Sequence, residues 1–378
     1  MVYWKHHNKG GFPHDPIFRP SAFPFPPPHG RTWFDPSMGA LWFNWTCSGF
    51  TITFTGKTLR AKILAIGDGK ESDGPVAYPC LGVADENGEL SQRFRCTGGP
   101  LWYTLFSGEE GTHTLRLTKL SENQFGRTAL LCLEAGGQLL PAKAPKRRLS
   151  IEFIGDSITC GFGNEAPHRD SLFDTGEENG WDTWAARAAR ELNAEFSMVS
   201  VSGISVAKPK YPKDSFPSME EVYPYTDLLG AQRLEREPEL WQFSSHPKDA
   251  VVINLGTNDV NPIRFYSDLG AAGEEELWFS QRYRAFLEQV RRLNGPQAQI
   301  FCTLGPLEYY LYDNIKTVVE EYKRDTGDQR VKCFKLIGVN LETEGWGAIS
   351  HPSMKTHLRL GRELAARLRP LLGEGSGA

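Results

Sequence analysis

The feature that most restricts the fold is a change of apolar rhythm across the short polar stretch Pro141-Ala-Lys-Ala-Pro-Lys-Arg-Arg148. Before it, from about Leu41 to Leu140, apolar residues alternate: Ile52 and Phe54; Leu59, Ala61 and Ile63; Leu101, Tyr103 and Leu105; Leu115 and Leu117. Period two over many short runs predicts strands, and Asn87-Gly88, Gly98-Gly99, Glu110-Gly111 and Gly136-Gly137 punctuate them as turns. After it, apolar runs alternate with helical spacing, which predicts a parallel sheet flanked by helices. The chain therefore divides into an extension over 1–35, a β-sandwich (jelly-roll) domain over 36–145 and an α/β domain over 149–372. The extension is rich in Pro and aromatics, densest at Phe23-Pro-Phe-Pro-Pro-Pro28. It offers a surface for packing on a neighbouring subunit, so a homo-oligomer formed through it is an expectation.

Within the second part, Ile151 to Ile154 reads as a buried strand that ends abruptly in Gly155-Asp156-Ser157. A serine at the carboxyl end of a parallel strand lies where open α/β sheets bind ligands. Its hydroxyl is a poor nucleophile without a base and donors for the oxyanion. The segments Phe196–Val201 and Ala250–Leu255 read as further strands, followed by Ser202-Gly203-Ile-Ser205 and Gly256-Thr-Asn-Asp259. Gly203 N–H, the Asn258 amide and the Ser157 N–H make three candidate donors. Gly203 is also an ordinary turn glycine and Asn258 an ordinary loop asparagine; their joint occurrence after successive strands is what singles them out.

Nine histidines are candidates for the base. His6, His7, His14 and His29 fall in the N-terminal stretch and His113 in the sandwich. His168 follows the nucleophile turn on a polar segment, and His246 precedes a strand and so belongs at its far end. His351-Pro352 directly precedes the last helix, with the proline at a first-turn position, which puts the imidazole at the sheet's edge. His351 is therefore the base, and His357 faces elsewhere. Trp346, and Trp181 after a glycine-bearing loop, are aromatic candidates for binding residues. Trp181 equally begins an apolar helical stripe with Trp184, Ala185, Ala188 and Leu192. Asp156, Asp259 and Cys160 read as structural residues.

Bulk properties narrow the function further. At 40% hydrophobic and 23% charged the chain is long enough, at 378 residues, for two real cores. A net charge of −4 with no long basic run predicts no nucleic-acid partner, and no apolar run approaches a membrane span. The first residues lack the pattern of a secretory signal, so the expected location is cytoplasmic. Seven scattered cysteines without paired spacing predict reduced core thiols and neither disulfides nor zinc.

Taken in order, Gly155-Asp-Ser157, Gly203, Gly256-Thr-Asn258-Asp and His351-Pro352 resemble the four blocks of the SGNH (GDSL-type) hydrolases. With the sandwich ahead of them, which opens on Leu41-Trp-Phe-Asn-Trp45 and Gly49-Phe-Thr-Ile-Thr-Phe-Thr-Gly56, residues 36 to 372 resemble carbohydrate esterase family 2. That resemblance implies a serine acetylesterase with no cofactor and no metal, acting on O-acetylated xylan, mannan or glucomannan through an acetyl-Ser157 intermediate, with Trp346 and Trp181 the candidates for stacking on its sugar rings. One departure stands out. The common pattern has an aspartate three residues before the histidine, and here that position is Ala348. A backbone carbonyl in the Trp346–Ser350 turn is the expected substitute acceptor for the His351 Nδ1–H, giving a Ser–His dyad; Glu342 and Glu344 are alternatives. The competing readings are a general esterase or thioesterase for other acyl groups, and a non-catalytic carbohydrate-binding protein.

Overall fold

The computed structural model describes residues 17–20, 28–68, 74, 76–141, 149–210, 216–267, 270 and 272–373. The strands expected from period two are present. They run β1 (Ile17–Phe18), β2 (Trp33–Asp35), β3 (Ala40–Trp42), β4 (Gly49–Thr55), β5 (Thr58–Ile66), β6 (Cys80–Ala84), β7 (Leu90–Arg95), β8 (Gly99–Ser107), β9 (Thr112–Lys119), β10 (Arg127–Ala135) and β11 (Leu139–Leu140). One sheet has the order β2-β3-β10-β5-β8, with β1 on β10; the other has β11-β4-β9-β6-β7. Their pairings are antiparallel. Phe50, Phe54, Leu59, Ile63, Leu117 and Leu133 fill the space between the two sheets, so alternate positions on each strand face inward.

The expected boundary at residue 35 moves. Residues 17–18 and 33–35 are strands of the first sheet, and Arg31 is fully buried against the following domain. The proposed subunit contact through the Pro-rich segment, like the 142–148 linker, lies outside the described residues.

The second part is a five-stranded parallel sheet of β12 (Leu149–Gly155), β13 (Ala194–Ser200), β14 (Ala250–Asn254), β15 (Gln299–Leu304) and β16 (Val331–Lys335), in the order β13-β12-β14-β15-β16. Its helices are α1 (Ser157–Cys160), α2 (Trp184–Glu191), α3 (Met219–Val222), α4 (Leu228–Arg233), α5 (Val260–Ser267), α6 (Ala272–Asn294), α7 (Tyr312–Thr326) and α8 (Met354–Leu372). Ile151 and Phe153 pack with α2 and α8 on one face. Ile154, Val251 and Ile253 pack with α6 and α7 on the other. The strand order reverses direction beside β12, so its carboxyl end sits at the crevice where ligands enter such sheets. Among the described residues, no helix is long and apolar enough to cross a membrane.

Two helix starts differ from the sequence reading. α2 begins at Trp184, because the Thr183 side chain caps it by accepting from Ala186 N–H. Trp181 therefore lies in the preceding 3-10 turn. α8 begins at Met354 with Ser353 as N-cap, so Pro352 stands outside the helix, paired in an isolated bridge with Trp346.

Candidate active site

The turn after β12 is built around close approach. A Cβ at Gly155 would overlap the Thr159 hydroxyl, so only glycine lets the strand bend straight into α1. Asp156 caps that helix, its carboxylate accepting from Ile158 N–H at 3.0 Å. Burial pushes this carboxyl up to about 7. Asp259 behaves in the same way: it accepts from Val206 N–H at 3.0 Å and is pushed by burial up to about 7. Both aspartates brace backbone, as the sequence reading expects. Cys160, fully buried behind them, is pushed by burial well above the usual thiol range. Ser157 itself is 9% exposed at the first position of α1.

His351 comes from the connection between β16 and α8. Its Nε2 lies 2.9 Å from Ser157 Oγ, and its Nδ1 lies 3.1 Å from Ala348 O and 3.2 Å from Ile349 O. Carbonyl oxygens only accept, so the proton belongs on Nδ1, and Nε2 is left as the acceptor for the serine hydroxyl. The two carbonyls reach Nδ1 because Ile349 and Ser350 both adopt left-handed backbone, with φ of 48° and 58°. For a β-branched residue this conformation costs roughly 1–3 kcal/mol. The loop is held in it from outside. Ala348 N–H donates to Gly163 O at 2.9 Å, Ser350 N–H to Arg169 O at 3.2 Å, and Met354 N–H to Asn164 O at 2.8 Å. Arg169 Nε donates to Ser350 Oγ at 3.0 Å. Phe162 closes one side of the imidazole at 4.5 Å between centroids and stacks in turn on Phe173 at 4.0 Å. Burial lowers the His351 pKa below its ordinary value, against a smaller upward pull from the two carbonyls.

The alternative acids are elsewhere. Glu342 is exposed. The Glu344 carboxylate is paired with Arg359 and accepts from Thr356 Oγ1 and Asn340 N–H, both at 2.9 Å; Arg359 first of all holds it down at about 2. Ala348 is fully buried, facing Gly163, where an added Cβ would overlap its own.

Gly203 and Asn258 arrive at the same edge. Gly203 is exposed with φ of 79° and open space around its α-carbon, so the glycine serves the backbone angle. Asn258 Nδ2 donates to Ile204 O at 3.0 Å, which ties the two loops together and leaves a second amide proton. Among the described residues, no protein acceptor takes the N–H of Ser157 or Gly203.

The tryptophans separate. Trp346 is half-buried on the loop before His351 and lines a cleft with His168, Arg169, Gly345, Ser353 and Lys355. Trp181 is 2% exposed, donates its indole N–H to Gly88 O at 2.9 Å and packs on Phe196. Phe196 is the register partner of Ile151, at the amino end of the strands and four residues back from Gly155. Trp181 is therefore a core residue at the opposite edge of the sheet, which corrects its candidacy as a sugar platform. His168 and His246 are exposed. His357 is buried on α8, where its Nδ1 accepts from Trp184 N–H at 3.2 Å and burial pushes it down to about 3.

The sandwich reaches this site, which its sequence does not signal. Phe125 packs on Phe173 at 4.5 Å beside the His351 support. Glu122 Oε2 accepts from Ser202 N–H at 2.8 Å, next to Gly203. Glu122, Cys160 and Glu178 bring ligand-type atoms within 4.8 Å of one another, a geometry that fits a small cation. The Lys119 ammonium already lies in that fully buried cluster, donating to Ser121 O and Glu122 O, and supplies its positive charge.

The family model described as GDSL-like Lipase/Acylhydrolase matches residues 153–357, and the one described as Carbohydrate esterase 2 N-terminal matches residues 29–143. The chain is 35% identical over 269 residues to the cellulase/esterase CelE of Acetivibrio thermocellus, a match covering 70% of this chain and only 31% of CelE. It is 31% identical over 288 residues to an acetylxylan esterase / glucomannan deacetylase of Cellvibrio japonicus, covering 73% of this chain and 74% of that protein. The solved structure of a family two carbohydrate esterase from Clostridium thermocellum in complex with cellohexaose superposes with a TM-score of 0.78 at 29% identity, covering 95% of this chain and 99% of that one. The chain belongs to the GDSL-like lipase/acylhydrolase family, in the form that carries the carbohydrate esterase 2 N-terminal domain.

Proposed function

We propose that this protein is a serine esterase that removes O-acetyl groups from plant polysaccharides or their oligosaccharides, xylan, mannan and glucomannan being the class. The observation that carries the reading is the 2.9 Å contact between His351 Nε2 and Ser157 Oγ, with Nδ1 held by two carbonyls. A neutral imidazole with its proton fixed on Nδ1 has the tautomer a general base needs.

In this mechanism Ser157 Oγ attacks the acetyl carbonyl carbon while its proton passes to His351 Nε2. The developing oxyanion is met by the N–H groups of Ser157 and Gly203 and by the Asn258 amide. The sugar–oxygen bond to the acetyl carbon then breaks, and His351 returns the proton to the departing sugar hydroxyl. Water attacks acetyl-Ser157 with His351 again as base, acetate leaves, and the serine recovers its proton. Trp346, on the loop before His351, is the aromatic side chain this reading assigns to stacking on a pyranose. The activities named for the Cellvibrio japonicus and Acetivibrio thermocellus relatives support the substrate class.

The test is acetate release from acetylated xylo- and manno-oligosaccharides by wild type, Ser157→Ala and His351→Ala, with a long-chain acyl ester alongside. Release by wild type that either substitution lowers by about 10⁴-fold or more is expected. Cleavage of the long-chain ester alone would contradict the sugar assignment.

A further inference from the structure

We infer that Glu122, carried by the β-sandwich, is a positioning residue for the oxyanion side of the site: its carboxylate fixes the Ser202 N–H and thereby the direction in which Gly203 presents its own. The inference rests on the esterase reading above and adds to it a contribution from the neighbouring domain.

β13 ends at Ser200. Val201 N–H still finds Gly155 O at 3.2 Å, but the next amide, Ser202, has left the sheet and is buried. A buried N–H without an acceptor costs about 1–3 kcal/mol. Glu122 supplies the acceptor at 2.8 Å, from the segment after β9 that runs into the seam between the domains with Ser121, Glu122 and Asn123 all buried.

Three side chains then pin the turn. Glu122 holds Ser202 N–H, Asn258 holds Ile204 O at 3.0 Å, and Asp259 holds Val206 N–H at 3.0 Å. The peptide plane carrying the Gly203 N–H lies between the first two pins. Nothing packs against the Gly203 α-carbon within 4 Å of where a Cβ would stand, so side-chain contact at that residue does not set the plane. Its orientation comes from the pins on either side together with the turn bond from Ile204 N–H to Val201 O at 3.3 Å, and an oxyanion donor works only when it is aimed before the reaction begins.

The acceptor sits in a buried cluster of titratable groups. Lys119 lies beside both carboxylates of the cluster, and Glu178 Oε2 accepts from Glu122 N–H at 3.1 Å. Burial pushes Glu178 well above the usual carboxylate range and raises Glu122 as well. Of the two carboxylates only Glu122 accepts from the Ser202 N–H, while Glu178 accepts from the Glu122 backbone. Glu178 thus shares the network without touching the oxyanion turn, which makes it the proper control.

The experiment compares Glu122→Met, Glu122→Gln and Glu178→Gln in the full chain, with 4-nitrophenyl acetate as probe and thermal melting of each variant. Glu122→Met is expected to lower kcat about 10²-fold, the scale of losing one aimed donor, with KM within about twofold. Glu122→Gln keeps an oxygen acceptor and should recover to within about tenfold of wild type, while Glu178→Gln stays within about threefold. Should Glu122→Met fail to fold, the two glutamine variants carry the comparison: a larger fall in kcat for Glu122→Gln than for Glu178→Gln supports positioning. Equal falls, or a folded Glu122→Met with wild-type kcat, would overturn the inference alone. Absence of Ser157-dependent turnover in wild type would overturn the esterase reading together with it.

Discussion

At the scale of single residues, the site replaces a carboxylate with backbone. Where the common pattern has aspartate this chain has Ala348, and the acceptors for His351 Nδ1–H are the carbonyls of Ala348 and Ile349. A carbonyl fixes the tautomer as an aspartate does, but it carries no full charge with which to stabilise the imidazolium. Restoring the acid by Ala348→Asp should therefore harm the enzyme. The side chain at 348 faces Gly163 in a fully buried position, so the new carboxylate would have neither room nor a partner there. We expect a loss of about 3 kcal/mol or more in stability from the unpaired buried charge, and at least about tenfold in kcat as the loop shifts. Denaturant unfolding and steady-state kinetics on the purified variant check both. A rise in kcat would mean that position 348 does face the imidazole.

At the scale of elements, much was legible because the chemistry is placed by strand ends. Period-two alternation in β4 and β5 and the apolar runs of β12 to β15 gave their elements directly, and each loop that bears Ser157, Gly203 or Asn258 follows such a run. His351 was reachable by elimination, since the other histidines read as belonging to the N-terminal stretch, the sandwich, a polar surface segment, a far strand end or another face of the last helix. Helix starts were less legible, because capping decides them. The Thr183 cap opens α2 and leaves Trp181 in a turn, while α8 starts only at Met354 and leaves Pro352 outside. Glu122 and Arg31 were not legible at all. A buried charge has meaning only through the partner the tertiary fold brings to it, and neither Ser202 nor Glu152 is near in sequence. The strained Ile349–Ser350 backbone was equally hidden, because an isoleucine gives no sequence signal for left-handed φ.

At the scale of the molecule, the sandwich is fastened to the hydrolase sheet by buried polar contacts. Arg31 donates to both oxygens of Glu152 on β12, at 3.3 and 3.1 Å, and to the carbonyls of Tyr223 and Tyr225 at 2.5 and 2.7 Å. Tyr223 OH and Ser197 Oγ complete the shell of Glu152 at 2.8 and 3.0 Å. Asn44 and Asn123 both donate to Asp227, at 2.5 and 2.8 Å. Burial alone would raise Glu152, yet Arg31, with Lys248 and the Tyr223 hydroxyl adding to it, outweighs burial and holds the carboxyl below its ordinary value. With its folded pKa depressed, this group contributes stability above the unfolded carboxylate pKa and loses it as pH falls through the folded one. Arg31→Met leaves the carboxylate buried and unpaired, and should cost roughly 3–5 kcal/mol at neutral pH. The deficit should shrink toward about pH 4.5, where an unpaired buried carboxylate is readily protonated. Denaturant unfolding at the two pH values reads this directly, and a deficit within about 1 kcal/mol at neutral pH would show that the seam does not depend on the pair.

The central claim is that His351 works as a base oriented by carbonyls in place of a carboxylate, and the acid limb of kcat/KM tests it most directly. Burial lowers this imidazole, and among the described residues no carboxylate lifts it. The base is therefore neutral and active down to below the ordinary histidine pKa of about 6.5, and activity falls only as pH drops through the lowered value. The account predicts one ionisation on that limb, below about 6.5, removed with all activity in His351→Ala. A limb centred clearly above that value would contradict it, since only a carboxylate at the imidazole would raise the base so far.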